Sequence, residues 1–165
     1  MDTALLFAQT ITTGAMAGWL TTGVRDNLLY PDLNERYTAE VLDMTRMRSE
    51  YPDEFAQVAH RAISNRSIQK TAFRSIVALE VIAVVLLWAG FVSLVLALLG
   101  TVAPQTARTI ALYGASVFFL IWAAMLIVGN HFSYWFCHED AQNTHFQMTL
   151  WGLGSMILLT LGSAV

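Results

Sequence analysis

Four stretches without a single Asp, Glu, Lys or Arg, at residues 3–24, 81–107, 109–138 and 141–165, constrain this chain more than any other feature. Hydrocarbon rejects ionised side chains, and a helix needs about 20 mostly apolar residues to cross a ~30 Å core. Each stretch is long enough. Only 13% of residues are charged and mean hydropathy is +0.53, whereas an ordinary soluble domain carries about 25% charged residues. The sequence therefore predicts an all-α membrane protein with one integral domain over 1–165. Its four transmembrane helices, near 3–24, 75–100, 109–129 and 146–164, form a bundle whose first partner is the lipid bilayer.

The first span is the least apolar, carrying Gln9, Thr10, Thr12, Thr13, Thr21 and Thr22, and is expected to pack inside the bundle. Gly14 and Gly18 offer it a small-residue contact face. It is read as a retained span, because a cleaved signal needs a positive flank and only Asp2 precedes the apolar run. A net charge of -3 leaves no basic groove for nucleic acid, and one cysteine cannot close an internal disulfide. Eight of the nine basic residues lie between spans one and two. Basic loops stay in the cytoplasm, which puts 25–74 and 130–146 inside and both termini in the periplasm of a bacterial inner membrane.

The polar connection 25–74 reads as two short amphipathic helices. Asp32 and Glu35 have capping-box spacing, and Leu33, Tyr37, Val41 and Met44 follow at helical intervals. Pro52 opens the second, with Phe55, Val58, Ala59, Ala62 and Ile63 on one face. Neither face can make a core alone. They dock on the bundle end, on interfacial lipid or on a partner, with Tyr37, Val41, Met44, Phe55 and Val58 as the partner-facing set. Arg66, Lys70 and Arg74 form an i, i+4, i+8 basic stripe facing lipid headgroups or a partner.

Glu80 is the one acid in a long apolar run, SIVALEVIAVVLLW, and acids in such runs mark functional sites. It reads as an interhelical polar clamp or an interfacial residue, with proton or cation coupling as a further role. Arg25, His131 and His145 are the groups that could reach it. The stretch NHFSYWFCHEDAQNTHF places His131, His138 and His145 seven residues apart, about 10 Å on an unbroken helix, too far to share a metal. A break in that helix could bring His131 and His145 together near Glu80. Cys137 to Asp140 are consecutive and diverge, so no metal or cofactor is expected, and Cys137 lacks a base placed to activate it.

Several runs resemble a known family when taken together. DNLLYPDLNERYTAEVLDM, the RAI at Arg61 to Ile63 leading into IQKTAFRSIVALE, and GNHFSYWF are similar to the bacterial family called domain of unknown function 2165, or DUF2165, of small predicted integral membrane proteins. Asn27, Leu42, Met44, Arg61 and Glu80 fall where the resemblance implies family-like residues. The chain departs from that pattern at Thr45, where Asp is expected, and at 139–143, where EDAQN replaces a Trp-Asn-Gly-Gln-like turn. The resemblance implies a small multi-span architecture and no reaction.

The expected function is a non-enzymatic accessory or assembly subunit of a larger inner-membrane complex, respiratory assemblies among the hosts considered, with other membrane subunits as partners. Two alternatives stay open. One is a small ion-coupled transporter using Glu80, and the other a cofactor-binding membrane enzyme subunit using Glu80, His131 and His145.

Overall fold

The computed structural model describes residues 2–162, which are helical almost throughout and contain no strand. Four long helices carry the fold: α1 (Asp2–Leu29), α5 (Arg66–Leu98), α6 (Pro104–His131) and α8 (Glu139–Thr160). Between the first two lie α2 (Pro31–Leu42), α3 (Thr45–Glu50), α4 (Pro52–Val58) and a 3-10 turn at Ala59–Arg61, and α7 (Tyr134–Cys137) precedes α8. Proline opens α2, α4 and α6 at the first helical position, where its missing N–H costs nothing. Gly100, with φ +76°, turns the chain between α5 and α6.

α5 packs against α1 on one side and α6 on the other, α6 packs against α8, and α1 and α8 touch along a narrower line. Small residues set the closest approach. A Cβ at Gly90 would lie 2.5 Å from Ala111 Cα, and one at Gly114 would lie 2.8 Å from the Leu87 backbone nitrogen. The same economy recurs between α8 and α6, where a Cβ at Gly152 would meet Phe119 Cα at 3.0 Å. Met16, Leu20, Leu87, Leu94 and Phe118 fill the core between these backbones.

Two helices, α5 and α6, are both long and apolar enough to cross a membrane by length and composition, where the sequence reading expected four. The shortfall has a chemical cause. α1 and α8, at 28 and 22 residues, have the length. However, α1 carries Gln9 with six threonines and α8 opens on EDAQNTH, which lowers their hydropathy. Every expected span also has different ends. α1 runs on through Arg25 to Leu29, α5 begins at Arg66 in place of 75, α6 extends from 104 to 131, and α8 starts at Glu139, turning half of the expected 130–146 turn into helix.

The connection folds onto the chain itself. Val41, Leu42, Met44 and Met47 form a second small core with Phe132, Tyr134 and Cys137, and Phe55 and Val58 pack against it, half-buried. Val41 and Met44 are thus not partner-facing, because the bundle end has already covered them. The second amphipathic helix stops at Val58, and Ile63 N–H donates to Leu42 O at 2.8 Å, fastening the following strand-like stretch to α2. No capping box forms at Asp32 and Glu35. Pro31 occupies the first turn after Tyr30, and no side chain caps that helix. The side-chain cap is at Asn65, whose Oδ1 accepts from Ser67 N and Ile68 N and starts α5. Gly14 meets the Phe91 ring, while Gly18 has open space around it, so the small-residue face of α1 is used at one of its two glycines.

Candidate functional site: two buried charges held by helix α1

Glu80 lies on the buried stripe of α5 with Phe73 and Val77, and is 5% exposed. Its Oε2 accepts a 2.8 Å hydrogen bond from Asn27 Nδ2, and Asn27 Oδ1 in turn accepts from Asn34 Nδ2 at 2.6 Å. Asn34 is exposed, so a line of amides joins the buried carboxyl to the surface at the α1–α2 corner. No cation pairs with Glu80 among the described residues. Arg25 faces away, with its guanidinium 2.9 Å from Asp26 and well exposed. A carboxyl held only by a neutral amide within a helix bundle is an uncommon arrangement, because burial ordinarily demands a counterion.

A second buried charge sits at the other end. Arg108 on α6 is 6% exposed, and no carboxylate pairs with it among the described residues. Its Nε donates to Gln9 Oε1 at 3.0 Å and its Nη1 to Gly162 O at 3.3 Å, while Gln9 Nε2 donates to Leu158 O at 2.7 Å and Leu161 O at 3.2 Å. This amide clamp ties α1, α6 and the end of α8 together. Gln9 and Asn27 are separated by about five helical turns and so lie on one face of α1, in line with buried Thr13, Met16, Leu20 and Val24. One stripe of one helix thus supplies the neutral partner for both buried charges. Glu80 stood out in the sequence, whereas Arg108 was only the ninth basic residue, set apart from the other eight. Their partners did not stand out, being 53 and 99 positions away.

The other candidates do not assemble. His131 is exposed, with its ring edge-on to Phe132 at 5.0 Å and its carbonyl accepting from Arg61 Nη1 at 3.2 Å. His145 is half-buried between the rings of Trp122 (5.4 Å) and Tyr134 (5.8 Å). Neither contacts Glu80 by hydrogen bond or ion pair, and no group of three metal-ligating side chains occurs among the described residues. The basic stripe is also redirected. Arg66 Nη2 lies 2.6 Å and Lys70 Nζ 4.0 Å from the same Glu35 oxygen, so these two cations tie α2 to α5 while staying half exposed, and exposed Arg74 makes no ion pair among the described residues.

At the same end of the molecule His138 is buried, with Nδ1 3.1 Å from Tyr37 Oη and its ring 5.8 Å from that of Tyr134. Tyr37, itself 40% exposed, thus reaches the chain's own α7–α8 junction with its hydroxyl. Burial pushes the imidazole below its ordinary value, with Glu40 acting against it. The Tyr134 phenol is pushed up to about 12, mainly by burial and then by Tyr37, and burial likewise raises the Cys137 thiol. A raised thiol is a poor nucleophile at neutral pH.

The DUF2165 family model, described as a predicted small integral membrane protein, matches residues 5–162. The chain belongs to this family. Its match takes in α1, with Gln9 and Asn27, as well as Glu80 and Arg108, so both buried charges and their amide partners lie within the family's extent. None of the curated proteins or solved structures matches the chain. As a DUF2165 protein it is a small integral membrane protein in contact with lipid, built from helices of which two are strongly apolar.

Proposed function

We infer that this DUF2165 protein crosses the bacterial inner membrane four times and serves as a non-enzymatic accessory or assembly subunit of a larger membrane complex. Three features support four crossings. In α1 the hydroxyls of Thr10, Thr12, Thr13 and Thr21 donate to carbonyls one turn back, which hides them from lipid. In α8, Thr149 and Ser155 do the same. The eighteen-residue interval between Gln9 and Asn27 corresponds to about 27 Å of helix, close to the ~30 Å hydrocarbon thickness. The two buried charges then sit near the two boundaries. With eight of nine basic residues in 25–74, that connection and the 130–146 segment face the cytoplasm and the termini the periplasm.

The observation that carries the subunit role is an uncovered apolar corner. Leu28, Leu29, Tyr30 and Leu33 are all exposed, just past the Arg25–Asp26 pair where α1 leaves the bundle and α2 begins. Val41, Leu42, Met44 and Met47 are buried on the chain's own bundle end, whereas this corner groups four exposed apolar side chains, which suits a neighbouring subunit. Two open surface grooves of about 410 and 360 Å³ lie along α5 and beside α2, and Glu80 lines neither. Purification in mild detergent, with mass spectrometry of co-eluting proteins, tests the role. A defined set of membrane subunits should co-purify and be lost from a folded Leu29→Glu/Leu33→Glu variant. A lone band from the native membrane would contradict it.

Glu80 favours a second reading, an ion-coupled carrier, because its buried carboxyl is linked to the surface by Asn27 and Asn34 alone. Proton-coupled uptake in vesicles that persists in Glu80→Gln would remove it.

A further inference from the structure

We propose that Arg108 is an anion site that holds the phosphodiester of a phospholipid from the leaflet at its end of the bundle. A guanidinium has five N–H donors in a planar fork suited to phosphate oxygens. Among the described residues Arg108 uses Nε and Nη1, both on neutral acceptors, and Nη2 makes no hydrogen bond. No described side chain therefore neutralises its positive charge, although the residue is only 6% exposed.

The surroundings select the ligand. Arg108 is the one Lys or Arg after Arg74, and of the twelve acids only Asp2 belongs to its end of the bundle in the four-span reading. Gln9 is committed to the carbonyls of Leu158 and Leu161 at the end of α8 and cannot swing away without breaking these bonds, so the fork is held in one orientation. Gly162 packs closely beside it. A Cβ there would lie 3.1 Å from Nη2, and its φ of +85° suits glycine, so a larger residue would crowd that face of the guanidinium. An anion of phosphate geometry at the hydrocarbon boundary meets each of these conditions, and the phospholipid headgroup supplies one there at high local concentration. The inference rests on the four-span reading for the depth of Arg108, but not for its lack of a described acidic partner.

Native mass spectrometry of the full chain released from gentle detergent provides the test, using the wild type, Arg108→Gln, Arg108→Lys and Arg25→Gln. One phospholipid per chain should stay bound to the wild type and to Arg25→Gln, with at least about tenfold less on Arg108→Gln and an intermediate amount on Arg108→Lys. Added inorganic phosphate distinguishes the sources. Lipid retention in its presence supports the headgroup, whereas displacement with a phosphate adduct on Arg108 supports an anion site and overturns the lipid assignment. Equal retention by Arg108→Gln and Arg25→Gln, or none on the wild type, reduces Arg108 to a helix staple and overturns the proposal. Should Arg108→Gln fail to fold, the wild type alone decides: its melting temperature should rise on adding phosphatidylglycerol to neutral detergent, and no rise counts against the site. Arg108-dependent retention with residue 3 labelled on the cytoplasmic side would sink the four-span topology while leaving the anion site standing.

Discussion

Glu80 could be singled out from the sequence as a lone acid among apolar residues, yet its chemistry is set by Asn27, one amide donated from another helix. Removing one member of a buried pair costs more than removing both, since the survivor keeps its desolvation penalty. Asn27→Ala should therefore destabilise the detergent-solubilised protein by about 1–3 kcal/mol in thermal unfolding. Adding Glu80→Leu should recover most of that loss, and a double variant weaker than Asn27→Ala would mean the carboxyl has another partner. His138 makes a different forecast. Its folded-state value lies below the ordinary 6.5 because it is buried, so the unfolded chain takes up a proton first as pH falls. Its contribution to stability is complete above 6.5 and is lost progressively below it, down through the folded value. Melting temperature should fall between pH 7 and 5, and less so in His138→Gln; equal slopes would show that His138 does not set the acid limb. Residue types were legible in the sequence, but pairings were not. Arg66 and Lys70 look like headgroup-facing cations until Glu35, apparently a capping residue by its spacing, is found buried against them.

The long helices were legible as elements because charge-free runs of this length have few alternatives, but their ends were not. Leaving hydrocarbon does not stop a helix; a proline, a glycine or a cap does. α1 accordingly continues through Arg25 and Asp26 until Pro31 starts a new axis, and α5 begins at the Asn65 cap, well before its apolar part. Asn65→Ala should cost about 1 kcal/mol by unfolding in detergent, and no loss would show that the first turn of α5 is held by the Arg66–Glu35 pair instead. The α5–α6 seam is less forgiving, because a Cβ at Gly90 meets backbone and not a side-chain tip that could move. Gly90→Ala should destabilise by about 1–3 kcal/mol, typical of overpacking. A neutral result would mean the two helices can separate slightly at that crossing. The polar connection was legible as amphipathic but not as self-covered, since the ring cluster that receives it lies ninety residues further along, around Phe132 and Tyr134.

At the scale of the molecule, a single face of α1 carries an amide near each end, each meeting a buried charge of opposite sign. That stripe, as well as the apolarity of α5 and α6, argues that α1 is a span, and it is why hydropathy alone counts two crossings where four long helices pack together. The family match establishes the membrane setting and leaves the number of crossings to be measured. Single cysteines at exposed Thr3, Thr45 and Thr101, in a chain whose Cys137 is replaced by Ser, read that number directly with a membrane-impermeant maleimide on intact cells and inverted vesicles. Four crossings require residues 3 and 101 to react from the periplasmic side and residue 45 from the cytoplasmic side. Residue 3 reacting from the same side as residue 45, with 101 opposite, would leave only the α5–α6 hairpin across the membrane and contradict the topology.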